Sequence, residues 1–262
     1  MQVIIDKGIP FLEGVFPSEI EVTFLSPEEI TAESVRKADA LFVRTRTRVN
    51  KELLHGSQVR FVATATIGFD HIDQNYCREA GIRWVSCPGC NAQAVCDYVE
   101  EAISSIKSDK TDLTIGIVGY GHVGKLVAQM AESKGYKVLL SDPSLGIGSS
   151  LKEIAPQCDV LTFHTPLTHD GEYPTFHLCN ADILHLCKHN VLIINAARGG
   201  IIDEQALLST LNSQLSTAID CWEGEPSLNK ELVQKVDLAS FHIAGYSIQG
   251  KMNASEMCLR AF

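Results

Sequence analysis

Short β-branched apolar runs alternate with helix-length amphipathic stretches along the whole chain, and that rhythm restricts the fold more than any other feature. Val3–Ile5, Ala40–Val43, Arg60–Ala63 and Arg83–Val85 read as strands, with helices predicted over Pro27–Lys37 and Asp70–Ala80. The later part repeats the pattern more clearly. Its strands fall at Leu113–Val118, Lys137–Leu140, Val160–Phe163, Val191–Ile194 and Thr217–Ile219, and its helices at about 122–134, 180–187, 203–212 and 228–235. Such alternation favours parallel sheets, because two parallel strands need a long crossover and a helix usually supplies it. Between the two parts, NAQAVCDYVEEAISSIKS (91–108) places Ala92, Val95, Val99 and Ile103 at helical spacing and reads as a helix joining two domains.

The stretch IGIVGYGHVG (115–124) sets Gly119, Gly121 and Gly124 directly after a predicted strand and at the opening of a helix. In a G-x-G-x-x-G turn the first glycine permits a tight bend and the second lets backbone N–H groups approach a pyrophosphate. The third lets helix and strand pack closely, and the helix N-terminus adds partial positive charge. Taken alone, the same glycines could serve packing only. The next strand, however, ends in Asp142, 18 residues after Gly124. A carboxylate there accepts the ribose hydroxyls and repels a 2′-phosphate, which points to NAD rather than NADP.

Three polar residues follow strands of the same predicted sheet. Arg198 stands in NAARGG, Glu225 in DCWEGEP and His242 in FHIAGYS. Ligands of open α/β sheets sit beyond the carboxyl ends of the strands. Singly, the three could be a surface ion pair, a helix cap and a satisfied core histidine. Together beside a dinucleotide site they match hydride transfer on a hydroxy acid: arginine grips a carboxylate, histidine takes the hydroxyl proton and a carboxylate steadies the imidazole.

Composition narrows the partners. With 262 residues the chain can form one large or two ordinary domains, and a net charge of −10 argues against nucleic acid and against an anionic membrane surface. Apolar runs such as Val191–Ile194 are too short to span a bilayer, and MQVIIDKGIP lacks the pattern of a secretory leader. Nine scattered cysteines, an odd number, fit reduced thiols in a cytoplasmic protein. Cys87-Pro-Gly-Cys90 allows a redox pair, but no second CxxC completes a zinc site. His185 and His189 have metal-compatible spacing with no general base nearby and read as surface residues, so no metal is expected.

The segments GIVGYGHVG, NAARGGIID, DCWEGEP and HIAGYS resemble the D-isomer-specific 2-hydroxyacid dehydrogenases. The resemblance implies two doubly wound parallel α/β domains with the active site in a cleft that closes on substrate. Residues 1–91 would form a flavodoxin-like substrate domain, joined by a returning helix in 246–262, and residues 92–245 a Rossmann NAD domain. It also implies Arg198, Glu225 and His242 as the catalytic set, with His242 as acid/base.

Three longer segments, at 86–99, 161–178 and 242–251, narrow the resemblance to family members that oxidise 4-phospho-D-erythronate for pyridoxal 5′-phosphate synthesis. From these, Thr45 and Thr66 would contact substrate, and Asp142, Thr165, Asp220, Gly245 and Tyr246 would line the NAD site. VRTRTRVN (43–50) is a basic spot in an acidic chain, so Arg44 or Arg46 is a candidate for the phosphate, a solvated loop being the alternative. His164, in the FHTP run, is expected to be structural. Such members carry a further C-terminal dimerisation module, and this sequence stops at Arg260-Ala-Phe262 without it. The family's homodimer is therefore expected to be weakened or lost. Two other functions stand beside this one: oxidation of 3-phosphoglycerate or another D-2-hydroxy acid, and a non-catalytic NAD-sensing scaffold.

Overall fold

The central strands of this chain form where apolar residues cluster, and almost all of its strands pair in parallel. The computed structural model describes residues 1–211 and 215–262 and divides into two units. One comprises Met1–Asn91 with Tyr246–Phe262, the other Ala92–Gly245.

The first unit contains β1 (Gln2–Asp6), β2 (Glu21–Leu25), β3 (Ala40–Val43), α1 (Lys51–Leu54), β4 (Phe61–Thr64), α2 (Gln74–Glu79) and β5 (Arg83–Val85). Its sheet has the order β2-β1-β3-β4-β5, parallel throughout. Every residue of β3 and β4 is buried, as expected of central strands covered on both faces.

The helix expected over Pro27–Lys37 is absent apart from a 3₁₀ turn at Ser34–Lys37. Local side chains compete for the backbone there. Glu29 accepts from the Ser26 N–H at 2.7 Å, and Ser34 Oγ accepts from the Thr31 N–H at 2.9 Å. The helix predicted from Asp70 starts only at Gln74, where Asp73 caps it by accepting from Tyr76 N at 2.9 Å.

The second unit contains α3 (Ala92–Ile106), β6 (Thr114–Val118), α4 (His122–Ser133), β7 (Lys137–Asp142), β8 (Ile147–Gly148), α5 (Leu151–Ile154) and β9 (Val160–Phe163). It continues with α6 (Ala181–Leu186), β10 (Val191–Asn195), α7 (Glu204–Thr210), β11 (Leu215–Ile219), α8 (Lys230–Lys235) and β12 (Leu238–Ala239). The sheet order is β12-β11-β10-β9-β6-β7-β8, and only the β7–β8 pair is antiparallel. The predicted helix 203–212 is observed as α7, and position 212 lies outside the described residues. Because the chain leaves β6 for β7 on one side and returns to β9 on the other, the sheet reverses direction at β6/β9. This switch point is where open α/β sheets bind nucleotides.

The final helix, α9 (Ile248–Ala261), is capped by Ser247, whose Oγ accepts from Gly250 N at 2.9 Å. Ala254 and Cys258 of α9 pack into the first unit's core with Phe42, Phe61 and Cys87. Cys87 and Cys258 lie with sulfurs 3.5 Å apart, and all nine cysteines are free. Burial pushes the Cys90 thiol up to about 11, which does not suit a redox nucleophile. Among the described residues no helix is long and apolar enough to cross a membrane.

Candidate active site

The turn after β6 has the geometry that a bound pyrophosphate requires. Gly119 has φ +92°, and a Cβ there would meet the His164 carbonyl oxygen at 2.7 Å. A Cβ on Gly124 would lie 2.0 Å from the Gly119 carbonyl oxygen, so the first turn of α4 closes against the strand end only with glycine. Gly121 differs, because nothing lies within 4 Å of a Cβ built there. That open space at the N-terminus of a 12-residue helix is a cradle that a side chain would fill and a pyrophosphate can use.

Asp142 ends β7 and is held ready for a polar ligand. Its Oδ1 accepts from Ser144 Oγ at 2.6 Å and Leu145 N at 3.2 Å, and its Oδ2 accepts from Tyr120 N at 2.8 Å. Burial alone would raise its pKa, but the hydrogen bonds from Ser144, Tyr120 and Leu145 outweigh it and hold the carboxyl below its ordinary range. Oδ2 keeps capacity for one further donor. Thr165, just past β9, has a buried hydroxyl with no partner, and its methyl lies 2.9 Å from a Cβ built on Gly119. Beside it, burial pushes His164 down to about 3, so its imidazole is neutral; its Nε2 pairs with Thr162 Oγ1 at 3.0 Å, a structural placement.

The loops after β10, β11 and β12 carry the chemical groups. Asn195, buried at the end of β10, donates Nδ2 to the Arg198 carbonyl at 2.9 Å and to the Cys221 carbonyl at 3.2 Å. Gly199 is pressed against the next loop, where a Cβ would meet the Trp222 carbonyl at 1.8 Å. The Arg198 loop is thereby fixed on the loop that holds Glu225. Glu225 Oε1 accepts from Trp222 N at 2.6 Å, and its Oε2 lies 2.8 Å from His242 Nδ1. The side chains remain partly exposed, His242 at 52% and Glu225 at 31%. With Nδ1 on the carboxylate, Nε2 is the nitrogen left for a substrate.

Asp220 braces this loop from beneath. It is 1% exposed and accepts from Ser240 Oγ at 2.6 Å and from the N–H groups of Ile243 and Ala244 at 2.9 Å each. Tyr98 of α3 extends the network to Ser240 at 2.9 Å. Cys221 lies near enough that its sulfur and ligand atoms of Glu225 and His242 fall within 4.8 Å of one another. Burial, then Asp220 and Glu225, drive that thiol far upward, leaving a neutral group that fills space.

Sequence reasoning did not single out Tyr98, Ser240 or the support of the same loop by His177 and Glu204. His177 Nε2 lies 3.1 Å from Glu223, and Glu204 accepts from Glu223 N at 2.7 Å.

The remaining candidates lie in the first unit, save His185 and Gly245 in the second. Thr45 is exposed. Thr66 Oγ1 lies 2.6 Å from Thr64 Oγ1 and donates to the Gly68 carbonyl at 2.8 Å. Arg44 donates to the Gly8 carbonyl at 3.1 Å, whereas Arg46 pairs with Glu28. Tyr246, expected at the NAD site, carries Lys251 Nζ 3.8 Å above its ring. His185 is bonded within its own helix to Ala181.

A nucleotide crevice together with an arginine, glutamate and histidine on adjacent strand-end loops defines a dehydrogenase of hydroxy acids. Residues 96–244 match the family described as "D-isomer specific 2-hydroxyacid dehydrogenase, NAD binding domain", and the chain belongs to that family. It is 44% identical over its full length to an erythronate-4-phosphate dehydrogenase of Bacteroides fragilis, covering 79% of that protein. It is 40% identical to the Escherichia coli erythronate-4-phosphate dehydrogenase, again over its full length and covering 72% of that relative. The fold matches an NAD⁺-bound 3-phosphoglycerate dehydrogenase of Entamoeba histolytica with TM-score 0.81 at 23% identity, covering 100% of this chain and 93% of the other. The chain is an NAD-dependent oxidoreductase of 2-hydroxy acids, with its NAD-binding domain in the second unit.

Proposed function

We propose that the protein oxidises 4-phospho-D-erythronate at C2 to 2-oxo-3-hydroxy-4-phosphobutanoate, a step of pyridoxal 5′-phosphate synthesis, with His242 as the base. The observation that carries this reading is the 2.8 Å contact between Glu225 and His242 Nδ1, which turns a surface histidine into an oriented proton acceptor. The 40–44% identity to erythronate-4-phosphate dehydrogenases supports the choice of substrate.

Bound NAD supplies the hydride acceptor. Arg198 receives the substrate carboxylate as a bidentate ion pair, which sets the hydroxyl-bearing carbon in register. His242 Nε2 takes the hydroxyl proton as the C–H bond breaks, and Glu225 stabilises the imidazolium that results. In the reverse direction the same proton is returned to the carbonyl oxygen. Asp142 favours NAD over NADP by charge, and Gly119, Gly121, Gly124, Thr165, Asp220, Gly245 and Tyr246 form the rest of the cofactor site. The first unit acts as the substrate-binding domain through Thr45, Thr66 and its basic loop. Homodimerisation and a cytoplasmic location belong to the same reading.

The test is NADH formation at 340 nm with 4-phospho-D-erythronate, beside 3-phosphoglycerate and a His242→Ala variant. Turnover of phosphoerythronate, reduced roughly 10²–10⁴-fold in the variant with unchanged NAD affinity, is expected. Faster turnover of 3-phosphoglycerate would reassign the substrate. NAD binding with no oxidation of either acid would leave the enzyme reading without its reaction. Sedimentation velocity at micromolar concentration reads the oligomer directly.

A further inference from the structure

The oxidation of a hydroxy acid makes no use of Cys87-Pro-Gly-Cys90, and the fold pairs the first cysteine of that motif with a third one. Cys87 Sγ lies 3.5 Å from Cys258 Sγ, 171 positions away on α9. The Cys87 sulfur is also within hydrogen-bond reach of the Thr64 carbonyl of β4, at 3.4 Å, and of the Ala254 carbonyl of α9, at 3.3 Å. Cys87 thus occupies the joint where α9 meets the sheet of the first unit. Both thiols are fully buried in that unit's core.

A disulfide bond is about 2 Å long, so the two sulfurs need to approach by only about 1.5 Å, within reach of small rotations of the two side chains. Cys90 is the poorer partner. Its N–H donates to the Cys87 carbonyl at 3.2 Å, and burial, then the charge of Cys87, push its thiol up to about 11. The hydrogen bond from Cys258 has the opposite effect on Cys87: it outweighs burial and holds that thiol below its ordinary range. Cys87 is therefore the more readily ionised sulfur and the nucleophile of the pair. The turn that follows it is open to solvent, with Pro88 exposed and Gly89 half-buried at φ +80°. A molecule as small as hydrogen peroxide reaches Cys87 through a local opening of this turn.

We propose that Cys87 and Cys258 are a site of reversible covalent modification, closed by a peroxide into a disulfide that staples α9 to the sheet of the first unit. The Cys87 thiolate attacks one peroxide oxygen and breaks the O–O bond. Cys87 becomes a sulfenic acid, and the hydroxide released takes up a proton to leave as water. The Cys258 sulfur then attacks the Cys87 sulfur, and its proton departs with the displaced hydroxyl as a second water. In all, two thiols lose two electrons and two protons, and one peroxide is reduced to two waters. A thiol reductant reverses the bond by exchange. Because Ala254 and Cys258 pack with Phe42 and Phe61, the link fixes a helix that completes this unit's core.

The experiment exposes the reduced, folded full chain to hydrogen peroxide and identifies its unreduced tryptic peptides by tandem mass spectrometry. Peptides 84–107 and 252–260 should be joined through Cys87 and Cys258. The link should be absent from Cys87→Ser and Cys258→Ser, persist in Cys90→Ser, and vanish with dithiothreitol. Oxidation should raise the Tm of the first unit by roughly 5 °C or more, as a bond between distant parts of a chain does, and dithiothreitol should restore it. Serine in this core can itself cost stability, so the parent's own peptide map and reversible Tm decide the matter without the variants. Cys187, the one cysteine that is half-buried rather than buried, reports that peroxide has reacted. Oxidised Cys187 beside unlinked Cys87 and Cys258 would overturn the site. A Cys87–Cys90 bond would overturn it in favour of the CxxC pair, and a Cys87–Cys258 bond with no rise in Tm would overturn the staple.

Discussion

His242 carries its imidazole on a backbone with φ 55°, in the left-handed region that costs a non-glycine residue about 1–2 kcal/mol. The surrounding bonds over-determine it: its own N–H donates to the Asp220 carbonyl at 2.7 Å, and the next two N–H groups end on the Asp220 carboxylate. Strain of this kind persists where the fold aims a side chain, as it does here toward Glu225. Replacing Glu225 by glutamine keeps the shape but removes a charged partner, which is worth about 1.5–3 kcal/mol. The expected result is a kcat lower by roughly ten- to a hundredfold with little change in NAD affinity, read by stopped-flow and fluorescence titration. Asp142 gives the pH dependence. Its pKa lies below the ordinary 3.8, so its contribution to stability is present above that value and is lost as pH falls through the folded-state value. NAD affinity should thus stay flat from pH 8 to about 5 as far as this carboxylate is concerned, whereas Asp142→Asn should weaken NAD across the range and narrow the preference over NADP. Calorimetric titration of both cofactors checks this. The placement of Arg198, Glu225 and His242 on loops beyond strand ends was legible in sequence because each follows a strand-like run. Tyr98 and Ser240 were not, since their bond spans 142 positions and leaves no local pattern.

At the level of elements, the strands that sequence reveals are the buried ones. β3, β4, β9 and β10 are buried throughout and mostly apolar, and were readable. β2 alternates exposed and half-buried residues at the sheet edge, and β8 has only two residues, so neither rises above the surrounding loops. The 27–37 region shows the opposite error, because its composition suits a helix while the Glu29, Thr31 and Ser34 side chains bond to the local backbone instead. The glycine turn can be dissected by two substitutions of equal size. Gly124→Ala would press a methyl into the Gly119 carbonyl and should destabilise the second unit by about 1–3 kcal/mol, visible as a lower Tm. Gly121→Ala enters open space, so Tm should hold while NAD affinity falls. If both variants lost only stability, the open cradle would not be a cofactor site.

Across the whole molecule, the chain departs from the first unit at Asn91 and re-enters it at Tyr246, so a fold of 5 parallel strands depends on a helix more than 150 positions later. That dependence is physical. Ala254 and Cys258 complete the cluster around Phe42 and Phe61, and the Phe262 ring lies 5.6 Å from both of those rings and 6.0 Å from Phe16. Edge-on aromatic contacts add about 0.5–1.5 kcal/mol each to the area they bury. Phe262 is 36% exposed, so Phe262→Ala should cost less than a fully buried phenylalanine, roughly 1–3 kcal/mol. Removing residues 246–262 would strip much of the cover from the apolar face of β3 and β4, leaving Phe42 packed on Phe16 within a cluster that has lost Ala254, Cys258 and Phe262. The second unit keeps its own sheet, cores and nucleotide crevice within Ala92–Gly245. The deletion should therefore unfold the first unit selectively: limited proteolysis would cut within 1–91 while NAD still protects a fragment that spans 92–245. Uniform digestion of both units, or loss of NAD binding together with the helix, would mean that the two units fold as one cooperative body.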